Sequence, residues 1–105
     1  MIKMASRLTL HAKFEELLGN TNCYYQPPES IKMKFPCIRY SLTRINTLPA
    51  NDSKYNKRNQ YNVIFIHKDP ESEITDKILD AFDTIRMDRR YTADNIYHDV
   101  YTLYY

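Results

Sequence analysis

The sequence predicts an α+β domain: a mainly antiparallel sheet with two helices packed on it and a long polar loop or hairpin. Three observations predict it. Two segments carry apolar residues at helical spacing, and the chain's single glycine stands at the end of one of them. The other apolar segments are β-branched or aromatic. Strands then follow strands with only two helices among them, in the order helix, short strand, strand, long loop, strand, helix, strand, strand, which favours antiparallel neighbours.

The first helix rests on Leu10, Phe14, Leu17 and Leu18, at i, i+4, i+7 and i+8, with Leu8 expected to extend the stripe. Gly19-Asn20 ends it, because glycine accepts the left-handed backbone past a last turn. Cys23-Tyr24-Tyr25 reads as extended, and Gln26-Pro27-Pro28 as a stiff loop, since Pro-Pro continues neither helix nor central strand. Residues 35–42 read as a strand with Pro36 at its entrance. Residues 46–59 have the composition of a long solvated loop or an extended hairpin tip.

Residues 60–67 contain Val63-Ile64-Phe65-Ile66, apolar on both parities, and predict a central strand covered on both faces. Asp69-Pro70-Glu71-Ser72-Glu73 predicts a helix start, with Asp or Ser as cap, proline in the first turn and acids where the macrodipole favours them. Ile74, Ile78, Leu79 and Phe82 form that helix's apolar face. Ile85, Met87 and Tyr91 predict a strand, Ala93-Asp94-Asn95 a turn, and residues 96–105 a last strand.

At 105 residues the chain is read as one domain, 1–105, able to bury one modest core. A single glycine rules out a glycine-rich phosphate loop and a dinucleotide fingerprint, which need several at fixed spacing. The longest apolar run, Val63 to Ile66, is far short of a membrane span. Residues 1–7 show a basic residue without an apolar core behind it, so the expectation is a soluble protein without a signal peptide.

Charge is unevenly spread. Residues 1–68 hold eleven Lys and Arg against four Asp and Glu, and residues 69–105 hold four against nine. Such a split suits a basic nucleic-acid face or a dipolar molecule that assembles head to tail, and it also arises when the two halves simply interleave. Cys23 and Cys37 are read as buried free thiols, with a disulfide left open.

Catalysis is not expected. His11, His67 and His98 lack a Cys-x-x-Cys or His-x-x-x-His pair to start a metal site, and no local signature supports a triad with Cys23 or Cys37. Asp69, Glu71 and Glu73 are explained as helix N-terminal acids without a cation. No cofactor or metal is expected. Lys54, Tyr55, Lys57, Arg58 and Tyr61 interleave charge with aromatics in the manner of a nucleic-acid contact, with Lys32, Lys34, Arg39 and Arg44 adding charge. The pI of about 8.5 is below that of a dedicated binding domain. Ten tyrosines exceed what one small core takes up, which points to a contact surface.

Residues 22–30 with 32–40 (Lys32-Met33-Lys34-Phe35-Pro36-Cys37-Ile38-Arg39-Tyr40), residues 67–74 (His67-Lys68-Asp69-Pro70-Glu71-Ser72-Glu73-Ile74) and the tyrosine-rich end, 91–105, together carry a resemblance across nearly the whole chain. The chain resembles the small tail-terminator, or tail-completion, proteins of long-tailed bacteriophages and prophages. The resemblance implies a structural neck protein of the virion that forms a hexameric ring. The ring caps the tail tube, ends its polymerisation and offers the head–tail connector protein a docking surface.

The implied partners are therefore further copies of itself, the tail tube protein and the connector, with no membrane and no required nucleic acid. Candidate interface residues are Lys54, Tyr55, Lys57 and Arg58 in the long loop, Tyr24, Tyr25, Gln26, Pro27 and Pro28 as a rigid ridge, and Tyr101 and Tyr104 near the end. A closed ring needs two different patches in contact, which the charge split offers. A connector component is the related alternative. From another class, the alternative is a small nucleic-acid-binding regulatory module of phage or prophage origin.

Overall fold

In the computed structural model, residues 7–28, 32–49 and 55–105 are described, apart from the side chains of 46–49 and 55–58. The elements are α1 (Arg7–Leu18), β1 (Cys23–Tyr25), β2 (Cys37–Pro49), β3 (Tyr55–His67), α2 (Glu73–Asp80), β4 (Ile85–Ala93) and β5 (Ile96–Tyr104). The strands form one sheet in the order β1-β2-β3-β5-β4. β1 runs parallel to β2 and every other pair is antiparallel. The expected α+β fold is what forms. Among the described residues, no helix is long and apolar enough to cross a membrane.

α1 buries Leu10, Phe14 and Leu18. Leu8 does not extend that stripe and is 70% exposed. At 3.6 residues per turn it lies about 200° around the helix from Leu10, facing water. Gly19 has φ +77° and its N–H reaches the Glu15 carbonyl at 2.9 Å, closing the last turn.

Ser72 caps α2, its hydroxyl accepting the Ile74 N–H at 3.3 Å. Pro70 lies before this cap, so it shapes the approach to α2 and not its first turn. Asp94 and Asn95 turn β4 into β5 with φ of 54° and 63°, the backbone a two-residue hairpin requires and Asx side chains tolerate.

The 46–59 segment is a hairpin. β2 and β3 stay paired out to Pro49 opposite Tyr55. Residues 50–54, including Lys54, lie outside the described residues. β5 accompanies β3 only along residues 60–67, with Asn59 and Tyr105 exchanging backbone hydrogen bonds at 2.9 and 3.3 Å. β1 accompanies β2 only at residues 38–40. The far part of the hairpin is thus a two-stranded ribbon beyond the sheet, and the described residues span 51 × 27 × 22 Å.

Strand register assigns the two faces, because partners lie side by side and neighbours along a strand alternate. One face carries the rows Ile38–Phe65–Asp99–Arg90 and Tyr40–Val63–Tyr101–Met87, and α1 and α2 pack on it. The opposite face carries Arg39–Ile64–Val100–Arg89, Ser41–Asn62–Thr102–Arg86 and Arg44–Gln60–Tyr104. β3 is central as predicted, but helices cover one of its faces only. Ile64 is half-buried on the open face, screened by its neighbours in the row.

Candidate functional site

The expected interface residues separate in the fold. Tyr25 is half-buried against the core, its ring 5.0 Å from that of Tyr40 with the Arg7 guanidinium above it at 4.4 Å. The Tyr24 hydroxyl accepts the Lys34 N–H at 3.1 Å. Gln26, at φ 44°, continues the strand edge: its N–H reaches the Tyr40 carbonyl at 2.8 Å and its Oε1 accepts the Leu42 N–H at 3.2 Å. Pro27 is half-buried, so of this group only Gln26 and Pro28 are exposed.

Tyr55, Lys57 and Arg58 sit on the ribbon opposite Pro49, Thr47 and Asn46. Tyr101 requires correction as a contact residue. It is fully buried beneath α2, its hydroxyl donating to the Thr75 carbonyl at 3.2 Å. Tyr104 is half-buried on the open face and edge-bonded to Thr84 through its backbone.

The structure assembles a polar centre that the sequence analysis did not single out. Asp99 of β5 is fully buried on the helix-covered face. Its Oδ2 accepts from His67 Nε2 at 2.8 Å, Thr75 Oγ1 at 2.7 Å and Arg90 Nη2 at 3.1 Å, and its Oδ1 accepts from Arg90 Nε. Arg90 Nη1 also donates to the Pro70 carbonyl at 2.9 Å. One carboxylate therefore ties β3, β4, β5, α2 and the approach to α2. Burial alone would push the Asp99 carboxyl upward, but hydrogen bonds from Arg90, Thr75 and His67 outweigh it and hold the group below its ordinary range.

His67 stacks between Phe65, at 4.3 Å, and Tyr97, at 5.7 Å. Donation from Nε2 to the carboxylate leaves Nδ1 buried without a partner among the described residues. His67 also forms part of the wall of a cleft of about 550 Å³, with Phe35, Pro36, Phe65 and Ile74 as its apolar side and Ser72 at the rim. A buried His–Asp pair can orient an imidazole for proton transfer. No serine or cysteine hydrogen-bonds His67 among the described residues, so the pair has no nucleophile to activate there.

The chain, compared with protein-family models, with curated proteins and with solved structures, finds no match.

Cys23 and Cys37 are buried and free. Burial, with Glu15 and Cys37 nearby, pushes the Cys23 thiol up to about 12, and burial pushes Cys37 up to about 11 despite Arg39. Both stay protonated at neutral pH, and the thiolate is the reactive form. The expected outcome with a disulfide-exchange reagent is slow reaction of the native protein and two titratable thiols per chain in guanidinium. Rapid labelling of either thiol in the folded protein would contradict this placement. No group of three or more His, Cys, Asp and Glu is placed to hold a metal among the described residues. Asp69, from the predicted acidic cluster, accepts the Glu71 N–H at 2.9 Å and so serves the turn before α2.

Two charged surfaces lie on opposite sides of the molecule. The open sheet face presents Arg39, Arg44, Arg86 and Arg89, all exposed. Asp88, an acid beside this face, accepts from Arg86 Nε at 2.9 Å and Thr102 Oγ1 at 2.6 Å. Arg89 lies 5.3 Å from the ring of Tyr91, which stacks on His98 at 4.6 Å. On the helix side, Glu71, Glu73, Asp76, Asp80 and Asp83 are exposed, and none makes an ion pair among the described residues. Sequence order hides this arrangement, because the arginines come from both halves of the chain and meet only through strand register.

Proposed function

We propose that this chain is a structural subunit of a phage neck ring, which caps the tail tube, ends its growth and gives the head connector a docking surface. The supporting observation is the β2–β3 ribbon, which runs past the end of β5 and, among the described residues, has no strand on either edge. A two-stranded ribbon is marginally stable alone in water, and its unpaired backbone groups are a template for another chain. A protein that keeps such an arm has a use for it in contact with a neighbour. The ring acts by contact geometry: one face repeats the tube's own interface, the other does not, and addition stops. This reading places the mature protein in the virion.

Two measurements test the reading. Light scattering after size exclusion is expected to find a species near six protomers, alone or on adding tail tube protein, and tube growth is expected to stop when the ring is present. A chain that neither assembles nor arrests tube growth would sink the proposal. Lys57→Glu with Arg58→Glu is expected to leave the circular dichroism spectrum intact and impair tail joining in a complementation assay; unchanged joining removes the arm from the mechanism.

A second reading, a nucleic-acid-binding regulatory module, draws on the open face, where Arg39, Arg44, Arg86 and Arg89 suit phosphate contacts. It expects binding that weakens steeply with salt.

A further inference from the structure

We propose that copies of this chain pair head to tail, with the arginine-bearing open face of one sheet seated on the acidic α2 side of the next copy. The inference rests on the ring reading and names the two surfaces that would close the ring. Both helices lie on the other side of the sheet, so no helix covers the rows through Ile64, Val100 and Thr102; the Cys37–Ile66 end of this face is buried, and the Lys34 N–H bonds the Tyr24 hydroxyl at its β1 edge. Arg39 and Arg89 stand at opposite ends of the row through Ile64 and Val100, and neither has a carboxylate partner among the described residues.

On the far side, Glu73, Asp76 and Asp80 on α2, with Glu71 and Asp83 flanking it, are also without ion pairs among the described residues; Lys77 lies between them and Lys13 of α1 alongside, five acids to two cations. Like faces repel, so a two-fold contact of sheet on sheet or helix on helix is disfavoured. Unlike faces attract, and stacking one on the other gives a heterologous contact, the kind that generates rings when its rotation closes. A net charge of only +2 fits a molecule whose excess on one side is matched by the other, and this favours a second copy over a polyanion as the occupant.

Charge reversal tests the pairing. Arg39→Glu with Arg89→Glu makes the sheet face acidic, and Asp76→Lys with Asp80→Lys makes the helix side basic; all four positions are exposed, so the fold is expected to survive. Circular dichroism and thermal melts check that it does. In sedimentation at low salt, each variant alone is expected to associate at least about tenfold more weakly than the wild type. An equimolar mixture of the two is expected to restore association, because each reversed face then meets its complement on the other variant. High salt is expected to weaken wild-type and mixed assemblies alike.

Failure of the mixture to regain association overturns the pairing. Assembly of the wild type that neither reversal disturbs also overturns it, and leaves the ring reading standing on other contacts. A wild type that stays monomeric at every concentration and on tail tube protein overturns both. Retention of an oligothymidylate by the wild type, lost in Arg39→Glu with Arg89→Glu, with no self-association, gives the face to nucleic acid instead.

Discussion

Asp99→Ala is expected to cost about 3–5 kcal/mol, since it removes the charged acceptor of two buried donors, His67 and Thr75, and each such hydrogen bond is worth about 1.5–3 kcal/mol. Four donor contacts converge on this one carboxylate, from Arg90, Thr75 and His67. Arg90 would still hold the Pro70 carbonyl and face solvent, but the His67 Nε2–H would be left buried and unpaired. For a domain of about 100 residues each kcal/mol moves Tm by about 4–8 °C, so the midpoint should fall by at least about 12 °C. Asp88→Ala is the control on the same hairpin. Its exposed pair with Arg86 is worth about 0–1 kcal/mol. Equal melting points for the two variants would mean that Asp99 organises nothing.

The same carboxylate gives an acid limb with a defined sign. Its folded-state value is depressed, so its contribution is fully present above the unfolded value of about 3.9. That contribution is lost as pH falls from there through the lower folded value. Denaturant titrations are therefore expected to show this loss below about pH 4 in the wild type, and a shallower decline in Asp99→Ala.

Phe14→Ala is expected to cost a similar amount, about 3–5 kcal/mol, for a different reason. Phe14 is fully buried, with the Tyr40 ring at 5.0 Å and the Phe82 ring at 5.8 Å, both near edge-on. It joins α1 to β2 and to the segment after α2, so truncation leaves a cavity where three segments meet. Edge-to-face pairs add about 0.5–1.5 kcal/mol each beyond the area buried. Domains of this kind have about 5–15 kcal/mol in total, so the variant should lose a large share and show a lower denaturation midpoint at unchanged slope. A loss under about 1 kcal/mol would show that the helix is not anchored there.

Much of the fold was legible because its signals are local. Glycine after Leu18, serine before Glu73 and Asp94-Asn95 between two aromatic strands each specify a helix end or a turn through their own backbone and side chain. The 46–59 segment was legible only as loop or hairpin, since its composition is polar and its pairing is decided by the register begun at Cys37 and Ile66. Leu8 misled because it is apolar and near the stripe without being on it.

The candidate site was much less legible. His67 was weighed only for a metal pair it lacks and a triad without a local signature, Asp69, Glu71 and Glu73 only as helix N-terminal acids, and Asp99 drew no notice in a strand of tyrosines. The tyrosine count pointed to a surface, yet Tyr40, Tyr61 and Tyr101 are core residues, because a sheet under two helices takes long rings whose hydroxyls reach polar partners.

The sequence by itself determined the kinds of element, their order and most of their ends, all matters of short range, while the free state of the two cysteines waited on where the fold places them. Tertiary structure alone decided which carboxylate is buried, which histidine it holds and which arginines share a face. Those depend on pairing between positions as far apart as His67 and Asp99, 32 residues in sequence. A slip of one residue in either strand would turn Asp99 to solvent and exchange the arginine row for the core, so the register carries both the polar centre and the charged face.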